Sequence, residues 1–362
     1  MLKILFYINA LNGGGAERVM TNLSNQLDAE SIRVIFVTSY RAQGEYPLNE
    51  NIKRYSLEET EIQQSRIQRN FSRIRKLRRI CQEEKPDVVV SFMQEPNFRA
   101  ICATFGLPTK TIVSVRNDPN REYAGKIGWF VGKVLLPMAD GCVFQTEDAR
   151  HWFPKKLQKK STIIFNAVKE SFYEISGKPV EGKIVTCGRL MEQKNQATLI
   201  DAFGMIADKH IQATLEIYGE GNLEASLQEQ IEKLGLHDRV FLKGQTEHVE
   251  QVLQNASMFV LPSDYEGMPN ALMEALAAGV PSIATDCPCG GPKMLIEHEI
   301  NGLLVPVGDT AALANAMDRL LTDKVFAQKM GAAARESAEK YRPDGVFMQW
   351  KQYIEKIADG RS

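Results

Sequence analysis

The chain lacks what several large protein classes require. No uninterrupted apolar stretch reaches the about 18 residues that a spanning helix needs, so a transmembrane protein is not expected. The opening MLKILFYI is too short for the apolar region of a signal peptide, and no small-residue cleavage site follows it. Only 6 cysteines are scattered over 362 residues, too sparsely for a disulfide framework. The close pair Cys287 and Cys289 has no second pair or histidine cluster beside it, so a zinc site is poorly supported. The 5 histidines are widely spaced and form no metal motif, and no Asp-x-Asp cluster is present. Nothing is low in complexity. A reducing, cytoplasmic setting is the expectation.

What is present suits a globular protein of two domains: 44% hydrophobic and 25% charged residues over a length too great for one ordinary core. The net charge of −1 hides a division. Residues 1–165 carry +8 and the remainder −9. Such a split suggests that the first half faces something anionic. The plainer reading is uneven charge on two solvated surfaces.

Short β-branched runs alternate with longer helical patterns, the signature of βαβ units and a parallel sheet. The first half has strand candidates at Lys3–Ile8, Arg33–Thr38, Val88–Ser91, Thr111–Val115 and Gly141–Phe144, with helices at Ala16–Leu27, Arg66–Glu84 and Phe98–Phe105. The alternation restarts at Ile184–Cys187, Leu215–Tyr218, Val240–Leu242, Ser257–Leu261, Ser282–Ala284 and Leu303–Val305. Between them Asn166–Gly182 is polar and carries Gly177, Pro179 and Gly182. This predicts two doubly wound domains facing across a cleft, with ligands at the carboxyl ends of the strands.

Three loops after strands hold candidate chemistry. Asn12-Gly13-Gly14-Gly15-Ala16-Glu17-Arg18 follows the first strand; glycines admit a ligand close to the backbone, and the next helix offers free N–H groups to an anion. A dinucleotide site fits poorly. The last position of the Gly-x-Gly-x-x-Gly frame is Arg18, and the second strand ends in Thr38-Ser39-Tyr40 without a ribose-binding acid. A tight turn alone needs one glycine and leaves two unexplained.

The second loop, Gly188-Arg189-Leu190-Met191-Glu192-Gln193-Lys194-Asn195, offers a planar fork at Arg189 and a mobile point charge at Lys194, a pair that can converge on a diphosphate. Alone, such a pair is more often a solvated surface feature. The third runs from Asp264 to Gly279. Pro269 suits a first helical position and Gly279 a terminal cap. Glu274 falls among apolar neighbours, where a carboxylate is costly unless bonded, and sugar hydroxyls would satisfy it. Glu266 stands at the helix mouth, and the N–H groups around Asn270, Ala271 and Leu272 suit phosphates. A solvated Glu266 and a buried ion pair at Glu274 would explain each acid separately.

Together the Gly-Arg-Leu…Lys-Asn stretch and the Glu-x7-Glu spacing of Glu266 and Glu274 resemble the donor-site signature of retaining glycosyltransferases of family 4, which have the GT-B fold. The similarity extends over nearly the whole chain, through Gly-Gly-Ala-Glu-Arg, Ala139-Asp140, Gln145-Thr146, Asn301-Gly302-Leu303-Leu304-Val305 and Pro343-Asp344. It implies an α/β protein of two Rossmann-like domains: an acceptor-binding domain over 1–166, a linker over 167–182, a nucleotide-sugar domain over 183–342, and a last helix, 343–362, crossing back onto the first domain.

The resemblance further implies that Arg189 and Lys194 neutralise the donor diphosphate, Glu274 accepts bonds from the ribose hydroxyls and Glu266 holds hydroxyls of the donor sugar. Gly14 and Gly15 would face the phosphates, and Asp286–Pro292 would line the sugar side through backbone. No bound metal or other cofactor is implied. The Gly-Met-Pro-Asn stretch after Glu266 makes UDP the implied nucleotide. One departure is Arg116, in Ser114-Val115-Arg116-Asn117-Asp118-Pro119, where many members carry a histidine. Arg116 is read either as a catalytic or acceptor-phosphate group or as one half of a structural ion pair.

The stretch Arg66–Ile80 holds seven cations and no acid, with Ile67, Phe71, Ile74 and Leu77 at helical spacing. The apolar stripe is expected to pack on its own sheet and the basic flank to stay exposed, suited to an anionic membrane surface or a lipid diphosphate. No stacking aromatics accompany the charge, so nucleic acid is not an expected partner. The leading reading is a bacterial glycosyltransferase moving a hexose or N-acetylhexosamine from a UDP-sugar to a glycan on a polyprenyl-diphosphate carrier, at the inner face of the cytoplasmic membrane. The rivals are a sugar-nucleotide epimerase or hydrolase of the same fold, and a non-catalytic nucleotide-sugar-binding subunit of a glycan assembly complex.

Overall fold

The computed structural model describes the chain except Gly13, Ser31, residues 59–64, Lys178 and residues 361–362; the side chain of Arg66 is also outside the description. The chain divides into two compact units: Met1–Asn166 with Asp344–Ser362, and Ala167–Pro343.

The first unit is built on a parallel sheet in the order β3-β2-β1-β4-β5-β6-β7. Its strands are β1 (Lys3–Ile8), β2 (Arg33–Thr38), β3 (Lys53–Ser56), β4 (Val88–Phe92), β5 (Lys110–Ser114), β6 (Gly141–Phe144) and β7 (Ser161–Ile163). The central strands are continuous apolar runs because helices cover both faces of a parallel sheet; Ile4 through Ile8 and Val88 through Val90 are all buried. β3 and β7 are absent from the sequence expectations. Both are edge strands, half-exposed, with no apolar run to betray them.

The helix Arg66–Glu84 has the expected limits. Its N-terminus is capped by Ser65, whose hydroxyl accepts from the Gln68 N–H, and Lys85 closes it with φ 49. The last helix, Pro343–Ala358, packs on this unit. Trp350 is buried with its ring 5.4 Å from Phe92. The Tyr353 hydroxyl accepts from the Cys142 N–H at 2.8 Å and donates to the Lys160 carbonyl at 2.7 Å, tying the helix to β6.

The second unit has the sheet order β10-β9-β8-β11-β12-β13. Its strands are β8 (Lys183–Cys187), β9 (Thr214–Tyr218), β10 (Val240–Leu242), β11 (Met258–Leu261), β12 (Ser282–Thr285) and β13 (Leu303–Val305). The stretch read as a polar linker carries structure of its own. Within it Glu170–Tyr173 is helical, Phe172 and Tyr173 are buried, and the Tyr173 hydroxyl donates to the Ala338 carbonyl at 2.9 Å.

The basic helix departs from expectation. Its stripe splits: Leu77 is buried and Ile74 packs on the core, but Ile67 and Phe71 are exposed. Arg73, expected on the solvent flank, is buried, and its Nη2 donates to Glu58 Oε2 at 2.6 Å. Lys76 donates to the Leu57 carbonyl and Arg78 to the carbonyls of Ala103 and Phe105. Glu58 lies outside the helix, so no reading confined to the helix could supply this partner.

Candidate functional site

In a doubly wound sheet, the point where strand order reverses leaves a crevice beyond the carboxyl ends of two neighbouring strands. In the second unit that point lies between β8 and β11: the chain leaves β8 toward β9 on one side and β11 toward β12 on the other. The two motif loops emerge there.

The loop after β8 runs through Gly188 and Arg189 into a 3-10 turn at Glu192–Lys194, and Asn195, with φ 46, caps the helix Gln196–Ala207. It is zipped to the loop after β11. The Asp264 N–H donates to the Gln193 carbonyl at 2.9 Å. Asn195 Nδ2 donates to Asp264 Oδ1 at 2.7 Å, and Gln193 Nε2 to the Tyr265 carbonyl at 3.0 Å. This zipper brings Lys194 Nζ within 2.5 Å of Glu266 Oε1, which also accepts from the Ser263 hydroxyl at 2.8 Å.

Glu266 is therefore buried, not a solvated charge at the helix mouth. Lys194 and Glu266, assigned to different parts of a donor, here neutralise each other. Arg189 is exposed. The turn 287–290 is bound to Glu266 through backbone: the Glu266 N–H donates to the Pro288 carbonyl at 2.6 Å and the Cys289 N–H to the Glu266 carbonyl at 2.8 Å. A side chain on Gly291 would stand 1.7 Å from the Gly267 carbonyl oxygen, so only glycine permits these loops to touch.

The helix after this loop is Asn270–Ala277, with Pro269 in the capping position rather than the first helical one. Asn270 and Ala271 are half-buried; Leu272 is buried, so only its backbone can serve a ligand. Glu274 is buried. Its charge reaches the Cys187 thiol at the end of β8: burial pushes that thiol up to about 12, and Glu274 adds to the effect. In the turn just beyond β12 burial likewise raises the Cys287 thiol to about 12; Glu266 adds to the shift and Lys194 opposes it. Both acids thus stand at the carboxyl end of the second sheet.

In the first unit Gly14 caps the helix Gly15–Ala29, and Gly13 lies outside the described residues. A Cβ on Gly14 would lie 1.8 Å from Glu17 Oε2, so the Glu17 carboxylate folds back over the glycine turn. Arg116, beyond β5, is buried. Its Nη2 donates to Asn166 Oδ1 at 2.6 Å and its guanidinium lies 4.4 Å from the centre of the Phe92 ring. Nη1 is buried without a hydrogen-bond partner among the described residues. Burial pulls its pKa down to about 9, with Glu17 opposing the shift. Its hydrogen bond goes to the neutral Asn166, while the charge of Glu17 acts on it from nearby.

Sequence reading missed a buried polar cluster at the carboxyl ends of β1, β2 and β4. The fully buried Arg99 donates to Asn9 Oδ1 at 2.8 Å, Asn70 Oδ1 at 2.9 Å and Glu95 Oε2 at 2.5 Å, while Ser39 donates to Asn9 Oδ1 at 3.0 Å. The available signal was Asn97 and Arg99 beside the apolar Phe98, Ala100, Ile101 and Ala103 of the helix Gln94–Thr104. Nearby, Glu122 Oε1 accepts the Gln94 N–H at 2.8 Å, and Oε2 is buried without a hydrogen-bond partner among the described residues. Burial raises this carboxyl to about 7.

Comparison with known proteins adds a second line of observation. Residues 13–172 match the family model described as Glycosyltransferase Family 4, and residues 169–337 match Glycosyl transferases group 1. The chain is 28% identical over 365 residues to the Campylobacter jejuni "GalNAc-alpha-(1->4)-GalNAc-alpha-(1->3)-diNAcBac-PP-undecaprenol alpha-1,4-N-acetyl-D-galactosaminyltransferase", covering 99% of each. It is 32% identical to an uncharacterized glycosyltransferase of Methanocaldococcus jannaschii, over 79% of this chain and 83% of the other. In fold it is similar to Anabaena HepE, solved in complex with UDP and glucose, with a TM-score of 0.81 over 98% of this chain and 100% of that one, at 18% identity.

Proposed function

The chain belongs to the family 4 glycosyltransferases, with two Rossmann-like units of the GT-B type, and on that footing we propose that it is a retaining enzyme that moves a hexose or N-acetylhexosamine from UDP to a lipid-linked bacterial surface glycan. The observation that carries the proposal is the meeting of Lys194, Glu266 and Ser263 at the reversal point of the second sheet, with Arg189 exposed on the same loop.

When the bond between the anomeric carbon and the diphosphate breaks, negative charge grows on the leaving group. Groups already aimed at that charge lower the barrier because they need no reorganisation. Arg189 and Lys194 serve this role in the proposal, with the N–H groups of Asn270, Ala271 and Leu272 on the phosphates. Glu266, released by Lys194 as the diphosphate arrives, takes the hydroxyls of the transferred sugar. Glu274 takes the ribose hydroxyls. Gly14 and Gly15 admit phosphate to the backbone of the first unit. The metal-free character of the proposal rests on these cations supplying the neutralising charge.

Arg116 stands where the family resemblance leads us to expect a histidine. Its unpartnered Nη1 supports a role in binding an anion, either the acceptor's phosphate or the reacting diphosphate. The lipid-linked acceptor draws support from the undecaprenol-linked substrate named for the Campylobacter relative, and UDP from the HepE complex. Peripheral binding at the inner membrane face, through the exposed Arg75, Lys76 and Arg79, accords with the +8 charge of residues 1–165.

The deciding experiment follows UDP release from a panel of UDP-sugars with and without polyprenyl-diphosphate-linked acceptors. Transfer with retained anomeric configuration is expected. Turnover without acceptor would favour an epimerase or hydrolase, and donor binding without turnover a non-catalytic subunit.

A further inference from the structure

The stretch Gly125–Met138, GKIGWFVGKVLLPM, contains two lysines and no acid. It forms a helix at Gly125–Phe130, a π-helical turn at Val131–Leu135 and a 3-10 turn at Leu136–Met138. A crossover helix ordinarily turns its large apolar residues inward. This one also turns large ones out. Its inner face is made partly by glycines: a Cβ on Gly128 would lie 2.5 Å from the Tyr123 backbone, and one on Gly132 would lie 2.6 Å from the Trp152 ring. Ile127, Trp129 and Phe130 are left 82%, 56% and 49% exposed, and Val134 and Met138 are exposed beside them.

The rim of this patch is basic. Lys126 is exposed within it, and Lys155, Lys156 and Lys159 are exposed on the helix Lys155–Gln158 and the residue after it, which packs on the Leu136–Met138 turn. A second apolar cluster shares this face. The helices Arg66–Glu84, Gln94–Thr104 and Gly125–Phe130 link β3 to β4, β4 to β5 and β5 to β6, all running the same way across the sheet. Right-handed crossovers place such helices on one side, and the middle one packs against both the basic helix and the π-helical turn. Ile67 and Phe71, 83% and 70% exposed, therefore lie on the same helical layer as Trp129.

We propose that Gly125–Met138 inserts into the headgroup region of an anionic lipid bilayer, with Ile127, Trp129 and Phe130 entering toward the acyl chains and the exposed Lys126, Lys155, Lys156 and Lys159 meeting lipid phosphates, while Lys133 is held on Trp152. An exposed apolar helix face with basic flanks is the pattern of interfacial insertion, and tryptophan favours the headgroup depth. A symmetric contact with a second copy would set lysine rim against lysine rim, whereas anionic headgroups neutralise it. The inference deepens the membrane-bound reading above, adding apolar insertion to electrostatic attraction.

The test uses the full chain and vesicles of phosphatidylcholine and phosphatidylglycerol with brominated acyl chains. Trp129 is one of three tryptophans; Trp350 is buried and Trp152 half-buried. Vesicles should shift the emission to the blue and quench it. Trp129→Phe should remove most of the quenching while co-sedimentation persists. Trp129→Ser with Phe130→Ser should weaken partitioning about tenfold or more and leave nucleotide-sugar binding unchanged. Wild-type partitioning in the double variant would overturn the inference and leave the Arg66–Glu84 charges carrying membrane binding alone. A wild-type dimer that the double variant dissolves, without lipid quenching, would overturn it in favour of a self-interface. Insertion without sugar transfer to a lipid-linked acceptor would uphold it while removing the proposed transfer reaction.

Discussion

Lys194 Nζ and Glu266 Oε1 lie 2.5 Å apart, so the cation and the acid proposed for opposite ends of one donor are each other's partner. Glu266 is buried and Lys194 partly exposed, and Ser263 supplies a second bond to the same carboxylate oxygen. Removing one member strands the other. In the proposed site a donor diphosphate would have to displace Glu266 from Lys194, which would couple donor binding to release of the acid assigned to the sugar.

Lys194→Ala and Arg189→Ala should each lower transfer by about 10²–10³-fold, the usual cost of losing one contact to charge developing in the transition state. Their stabilities should differ. Lys194→Ala leaves a buried carboxylate unpaired, a loss toward the low end of about 3–5 kcal/mol, while Arg189 is exposed and its loss should leave the melting temperature unchanged. Steady-state kinetics beside calorimetry reads both. Near-normal turnover in the two variants would remove the proposed phosphate site.

Transfer should survive excess EDTA, because the proposal gives the neutralising charge to Arg189, Lys194 and helix N–H groups. Loss of activity in EDTA, restored by magnesium or manganese, would contradict that assignment.

Glu122→Gln should stabilise the protein, and more at pH 8 than at pH 5. The carboxyl sits near 7 when folded against an ordinary 4.5. Below about 4.5 both states hold the proton and no penalty applies. Between 4.5 and 7 the unfolded chain releases a proton that the folded chain retains, so stability falls as pH rises, and the loss is complete above 7. Glutamine keeps an acceptor for the Gln94 N–H and removes the titration. Thermal melts at pH 5 and 8 measure the difference; equal gains at both would refute the assignment to Glu122.

Arg73 and its neighbours on the basic helix should respond oppositely to substitution. Arg73→Met strands Glu58 in a site where both side chains are only 2% exposed, and should cost about 3–5 kcal/mol in urea unfolding. Reversing the exposed Arg75 and Arg79 to Glu should spare the fold but weaken co-sedimentation with anionic liposomes. The effect should shrink as salt rises, since such attraction is screened within about 8 Å at physiological ionic strength. Indifference of the wild type to anionic liposomes at low salt would reduce these residues to a solvated face.

The sequence by itself determined the alternation of strands and helices, the restart after Gly182 and the placing of Arg189, Lys194, Glu266 and Glu274 in or beside loops that follow strands. Runs buried on both sheet faces have one reading, and β8 and β11 end where their apolar runs end. Edge strands such as Lys53–Ser56 carry no such run and stayed hidden. Only the tertiary structure decided which charge meets which. Lys194 and Glu266 are separated by 72 residues and Arg73 and Glu58 by 15, and strand order and loop path, not helical periodicity, bring each pair together. Periodicity likewise says that a helix has an apolar face but not what covers it. Gly128 and Gly132 pull their helix against Tyr123 and Trp152, and that close approach is what leaves Trp129 and Phe130 in solvent.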